Sequence, residues 1–363
     1  MKIAFYGSSL LSAYWNGAAT YYRGLLRALA RKGYEITFYE PNVYDRQKNR
    51  DIEQPDWCRV VVYEGSIEAL KTVSQNAAEA DVVVKASGVG FEDDLLLTEV
   101  LRHARPHALT VFWDVDAPAT LAELRAEPDH LLRRSIGDLD LVLTYGGGDP
   151  VVRSYRELGA RDCIPIYNAL DPNTHHPVQK DPRFAADLGF LGNRLPDREE
   201  RVEQFFLEPA CRLTQHSFLL GGAGWDDKQM SPNVAYIGHV STRDHNGFNI
   251  TPKAVLNISR ASMAANGFSP ATRVFEAAGA GACLITDKWE GIDLFLKPDD
   301  EVLVARDGKD VAEILTGLTF DRAAAIGKRA LERVLAEHTY DHRAEMVDAI
   351  FRRHAAERVE AAE

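Results

Sequence analysis

Arg273 and Glu276 stand three residues apart in the stretch SPATRVFEAAGAG, residues 269–281. On a helix that spacing puts a cation and a carboxylate on one face. The guanidinium can hold a diphosphate, and the carboxylate can accept from both hydroxyls of a ribose. Together they can bind a nucleoside diphosphate. An ordinary ion pair on a helix surface explains the same spacing, and spacing alone favours that plainer reading. Ser269-Pro270 reads as an N-cap followed by the first helical residue. Such a start aims free backbone N–H groups and a partial positive charge at a phosphate. The second cluster is Trp113-Asp114-Val115-Asp116-Ala117-Pro118. It follows an apolar run, so both carboxylates fall at the carboxyl end of a strand. There one can take a proton or orient a hydroxyl. If the strand continues, alternation puts both on one side. Capping of the next helix by Asp116 accounts for the same residues equally well.

The elements that must position these groups follow from pattern. Residues 254–258, AVLNI, are a short apolar run of the kind found in buried parallel strands. Asn266-Gly267 breaks the chain. The helix carries Val274, Phe275, Ala277 and Ala278 inward and stops at Gly279-Ala280-Gly281. A strand at 283–286 and a loop at 287–291 complete the unit. In the first half, strands are expected at 2–6, 35–39, 59–63, 81–86, 108–113, 139–144 and 163–166. A helix over 20–32 ends at Gly33. Strand–helix–strand alternation predicts a parallel sheet. The long loop after the first strand carries Ser8, Ser9, Trp15, Asn16 and Gly17. In a two-domain α/β enzyme it would face the cleft at the carboxyl ends of the strands, where substrates bind. A plain connection with a packed Trp fits as well. There is no G-x-G-x-x-G, so a dinucleotide cofactor has no support. Residues 167–183, YNALDPNTHHPVQKDPR, read as an interdomain linker. His175-His176 within it has no ligand-spaced partner. Later strands are expected at 187–190, 217–220, 234–237 and 301–305. Helices follow at 310–318, 321–337 and 341–363.

The pieces LNISR at 256–260, GFSP at 267–270, RVFEA at 273–277 and DKWEG at 287–291 resemble the donor-binding segment of group 1 glycosyltransferases. The likeness is closest to their CgeB-like branch. It implies an α/β fold of two Rossmann-like domains facing across a cleft (GT-B). The acceptor domain would be 1–170, with the terminal helix 341–363 packing back on it. The linker would be 171–183 and the nucleotide-sugar donor domain 184–340. The resemblance makes Asn257, Arg260, Ser269, Pro270, Arg273 and Glu276 donor-binding. It adds Asn193, Arg194 and Arg198 near the donor phosphates and His239 beside the base. It prefers Asp116 to Asp114 as the catalytic carboxylate. Many group 1 enzymes carry a second glutamate eight positions before the one matching Glu276, and here that position is Phe268. Arg198 and Arg201 also fit the solvent face of an amphipathic helix, the favoured reading for Arg201.

Composition bounds the rest. The 363 residues suffice for two cores, and 45% hydrophobic with 26% charged residues is ordinary for a globular chain. A net charge of -12 argues against a nucleic-acid partner. No apolar run approaches ~18 residues, so no transmembrane segment is expected. The first residues read as a strand and not a signal peptide. Cys58, Cys163, Cys211 and Cys283 are scattered, which fits a reducing cytoplasm.

The function expected is a hexosyl-type glycosyltransferase that takes a nucleoside-diphosphate sugar and an acceptor not readable from the sequence. Neither a metal nor a further cofactor is expected. The alternatives are a non-catalytic sugar-nucleotide-binding protein and a sugar-nucleotide epimerase of the same architecture. Group 1 resemblance points to retention of configuration, whereas a base at Asp116 points to inversion.

Overall fold

The computed structural model describes residues 1–14 and 16–362, apart from the side chains of 358–362. The chain divides into two compact units, Met1–Tyr167 with Tyr340–Glu363, and Asn168–Thr339.

The first unit alternates strands and helices: β1 (Lys2–Tyr6), α1 (Ala18–Arg31), β2 (Glu35–Asn42), β3 (Arg59–Glu64), α2 (Ile67–Ser74), β4 (Val82–Ala86), α3 (Asp93–His103), β5 (Leu109–Asp114), α4 (Ala117–Ala126), α5 (Leu131–Ser135), β6 (Leu141–Thr144), α6 (Gly148–Glu157) and β7 (Cys163–Pro165). All strands pair in parallel, in the order β3-β2-β1-β4-β5-β6-β7. Strands covered on both faces must be apolar throughout, and β4 (VVVKA) and β5 (LTVFWD) are buried at every position. The sheet grows outward from β1 in one direction and from β4 in the other. The carboxyl ends of these neighbours form the crevice where such sheets bind ligands.

The second unit contains β8 (Leu188–Leu191), α7 (Glu199–Val202), a π-turn at Glu203–Leu207, α8 (Glu208–Arg212), β9 (Phe218–Gly221), β10 (Val234–Tyr236), α9 (His245–Ile250), β11 (Ala254–Asn257), α10 (Ala261–Asn266), α11 (Thr272–Gly279), β12 (Leu284–Asp287), β13 (Leu303–Ala305), α12 (Gly308–Gly317) and α13 (Phe320–Glu337). Its parallel sheet runs β10-β9-β8-β11-β12-β13. The switch point lies between β8 and β11, and α11 follows β11. Phe190, Leu256, Ile285, Val311 and Ile326 belong to one buried cluster. Two expectations are corrected here. The stretch 261–266, read as loop, is a helix. The next helix starts at Thr272, with Ala271 and not Ser269 at its N-cap, so Pro270 precedes the first turn. Residues 171–183, expected as the linker, are mostly exposed. They belong to the second unit, where Asn246 donates to Thr174 O at 3.0 Å, Asp181 N–H donates to Thr251 Oγ1 at 2.9 Å, and His175 is buried.

The terminal helix α14 (Tyr340–Ala362) belongs to the first unit. The Tyr340 ring covers Gly24 of α1, where a Cβ would lie 2.2 Å from the ring. Lys32 and Tyr34 reach Glu345 and Asp348 at 2.6 and 2.7 Å.

Candidate functional site

In the second unit the loops after β8 and β9 come together through glycine. A Cβ on Gly222, whose φ is +122°, would lie 2.2 Å from the carbonyl oxygen of Gly192. Trp225 Nε1 donates to the same carbonyl at 2.8 Å, and Asn193 Oδ1 accepts from Ala223 N–H at 2.9 Å. Asn193 is therefore a strut between two loops. Arg194 is fully engaged by Glu199 and Asp227, each at 2.7 Å, so its guanidinium is spent on structure and is not available to a phosphate. Arg198 differs. It bonds only the Asn193 carbonyl, at 2.7 Å, and its Nε is buried with no partner among the described residues.

Arg273, in the first turn of α11, lies beside Arg198. The two guanidinium carbons stand 5.7 and 6.0 Å from the centroid of the Phe190 ring. Burial holds the Arg273 guanidinium down to about 10, Glu276 raises it, and the neighbouring Arg198 charge lowers it further. Among the described residues the Arg273 guanidinium forms no hydrogen bond or ion pair, and neither does the Glu276 carboxylate. The surface ion pair allowed by their spacing is thus not formed. Ser269 is buried just ahead of α11, and its Oγ has no partner among the described residues. Ala271, at the N-cap, supplies no side-chain acceptor to the helix N–H groups. Two unneutralised cations, a buried hydroxyl and a bare eight-residue helix start together ask for an anion.

Other expected residues hold the frame. Asn257 is buried at the end of β11 and donates to Thr286 Oγ1 at 3.0 Å. Arg260 is exposed and paired with Asp197. His239 is exposed on the loop after β10. The histidine that meets the site is His245 on α9, which the sequence reading missed. Its pKa is lowered by burial first, raised by Glu276, and lowered by Arg273 and His175. No local signal marks it, because its place depends on α9 packing against α11. Arg201, read as solvent-facing, instead pairs with the buried Asp287 at 2.6 Å and donates to Ser259 O at 3.1 Å. Phe268 has φ +47° and donates its N–H to Glu290 O at 2.6 Å. A Cβ on Gly291 would lie 2.4 Å from the Phe268 ring. The ring therefore needs glycine there.

In the first unit the two aspartates separate. Asp114 is fully buried at the end of β5. Its Oδ1 accepts from Ser87 Oγ at 2.8 Å, Thr120 Oγ1 at 2.9 Å and Asp116 N–H at 3.0 Å, and its Oδ2 accepts from Tyr155 OH at 2.5 Å. Burial pushes its pKa up, and these bonds, led by Tyr155, pull it back. A carboxylate so enclosed neither meets substrate nor joins Asp116 on a shared face, which corrects its assignment as catalytic. Asp116 is half-buried at the N-cap of α4 and gives that helix no side-chain cap hydrogen bond. Ser8, Ser9 and Asn16 are buried and tie their own loop: Ser8 Oγ donates to Asn16 Oδ1 at 3.1 Å, and Asn16 Nδ2 donates to Ser9 O at 2.9 Å. Gly17 is exposed with open space around it. Trp15 lies outside the described residues.

Residues 198–349 match the family model described as glycosyl transferase-like. No curated protein matches the chain in sequence. Among solved structures, HepE of Anabaena, in complex with UDP and glucose, aligns with a TM-score of 0.66 and 14% identity over 96% of this chain and 99% of that one. Sucrose-phosphate synthase of Thermosynechococcus elongatus aligns at 0.68 and 14%, over 100% of each chain. AviGT4, a glycosyltransferase involved in avilamycin A biosynthesis, aligns at 0.61 and 18%, over 98% of each. These likenesses define the fold, GT-B with two Rossmann-like domains. Within that fold, the stretch 198–349 is the part of the chain that is similar to the glycosyl transferase-like model.

Proposed function

We propose that the chain transfers a sugar from a nucleoside-diphosphate sugar, held by the second unit, to an acceptor served by the first. The observation that carries the reading is the Arg198–Arg273 pair over the Phe190 ring, with neither guanidinium bonded to a carboxylate. A diphosphate supplies the missing charge, and the open carboxylate of Glu276, one turn along α11, receives the ribose hydroxyls. Solved structures of the same fold in complex with UDP and with UDP-glucose support this choice of donor. The motif residues 256–260, 267–270, 273–277 and 287–291 are the ground for a CgeB-like placement.

As the glycosidic bond to the diphosphate breaks, negative charge grows on the leaving oxygen. Arg273, Arg198 and the N-terminus of α11 face that charge in fixed positions and stabilise it without a metal ion or further cofactor. Asp116 takes the acceptor's proton.

Calorimetric titration with UDP tests the donor site. Arg273→Ala and Glu276→Ala each remove a charge-assisted contact of ~1.5–3 kcal/mol and should weaken UDP binding by roughly ten- to a hundred-fold. Affinity unchanged in both variants defeats the assignment. UDP-glucose that binds and is never turned over would recast the chain as a non-catalytic binder.

A further inference from the structure

A cavity of about 350 Å3 opens in the first unit near the carboxyl ends of β4 and β5, between α3, α4 and α5. We propose that it is the acceptor subsite and takes a hydroxyl-rich acceptor bearing a protonated amine, an amino sugar being the simplest. The proposal rests on the transferase reading above.

Three observations point the same way. The volume suits a small ligand, and Leu97, Phe112 and Leu132 give the cavity an apolar lining against which the C–H face of a sugar can lie. The hydroxyls of Ser87 and Thr120 also line it. Ser87 Oγ accepts from Val115 N–H at 2.8 Å, and Thr120 Oγ1 donates to Asp114 Oδ1 at 2.9 Å and lies 3.3 Å from Asp116 O. Two of the cavity's lining residues, Ser87 and Thr120, thus bond the bend at residues 114–116 that carries the proposed base.

Charge selects the class of ligand. Lys85 is spent on Asp93 at 2.5 Å. His130 Nδ1 accepts from Leu132 N–H at 3.2 Å, so the ring proton sits on Nε2, which faces Asp94 and Glu123 at 3.5 and 3.6 Å. Glu92, Asp94 and Glu123 are left without a permanent cation among the described residues. This lining repels a phosphorylated acceptor and attracts an ammonium group.

The test titrates the full chain with D-glucosamine, D-glucose and glucose 6-phosphate at low salt, with UDP titrated on the same samples. Glucosamine should bind about ten-fold more tightly than glucose, with glucose 6-phosphate weakest. In the double variant Asp94→Asn, Glu123→Gln the preference should vanish while UDP affinity stays. Equal binding of glucosamine and glucose, or a preference that survives the double substitution, overturns the proposal. Failure of the donor reading is read separately, as absent UDP binding in a chain that still prefers the amine.

Discussion

Asp114 offers its two oxygens to four donors and lies out of water, so substituting it probes stability. Asp114→Ala leaves Tyr155 OH and the Asp116 N–H without an acceptor and should cost about 3 kcal/mol in denaturant unfolding. Asp116→Asn is a different experiment. Melting temperature and UDP affinity should hold, and transfer should fall by roughly a hundred- to ten-thousand-fold if it is the base. Intact transfer would shift proton acceptance to the leaving phosphate and favour a retaining route. His245 gives a pH dependence of known sign. Its folded pKa lies below the unfolded value near 6.5, so the unfolded chain binds the proton more readily. The stability it contributes is present above the unfolded pKa and is lost as pH falls through the folded pKa. In His245→Gln, melting temperature should fall less steeply than in the parent as pH drops below that value. Parallel curves would refute the assignment.

At the scale of elements, α1 and α14 tie the chain's two ends into the first unit. Gly24 leaves only the space that the Tyr340 ring fills. Gly24→Val forces the ring out and should cost about 1–3 kcal/mol, read as a lower unfolding midpoint. Leaving Tyr340 in place and substituting a solvent-facing α14 position should do almost nothing. In the second unit, α11 depends on β11 and β12 for its direction, since its Val274, Phe275, Ala277 and Ala278 are buried. Arg273 and Glu276, which we propose meet the donor, stand on the opposite side of the same short helix. That division between packing face and binding face makes substitutions of Arg273 and Glu276 readable as binding effects.

Across the whole molecule, the second unit, which we propose holds the donor, supplies two guanidiniums without carboxylate partners, and the first unit supplies an acidic cavity. That segregation suits a reaction that joins an anionic donor to an uncharged or cationic acceptor. It also fits an overall charge of -12 with a cationic patch kept for one ligand. Turnover, measured with a working donor–acceptor pair, should survive excess chelator if, as we propose, fixed guanidiniums and the helix terminus do the electrostatic work. Activity lost to chelator and restored by magnesium or manganese would overturn the metal-independent route. Among the described residues no helix is long and apolar enough to cross a membrane.

The alternation of apolar runs with helical periods predicted parallel α/β structure, because period and burial are local consequences of side-chain type, and the family resemblance implied its division into two Rossmann-like domains. The same holds for Arg273 and Glu276, whose shared face follows from helical spacing alone. What spacing could not decide was pairing. Arg194 and Arg198 are equivalent in sequence, yet only Arg194 finds carboxylates in reach. Asp114 and Asp116 read as one motif, yet β5 ends between them, one enclosed by Tyr155 and Thr120 and the other at the mouth of α4. His245 and the cavity beside Ser87 and Thr120 carry no sequence mark at all. Each depends on contacts between residues far apart in the chain, and only the packing of whole elements determines which side chain receives a partner.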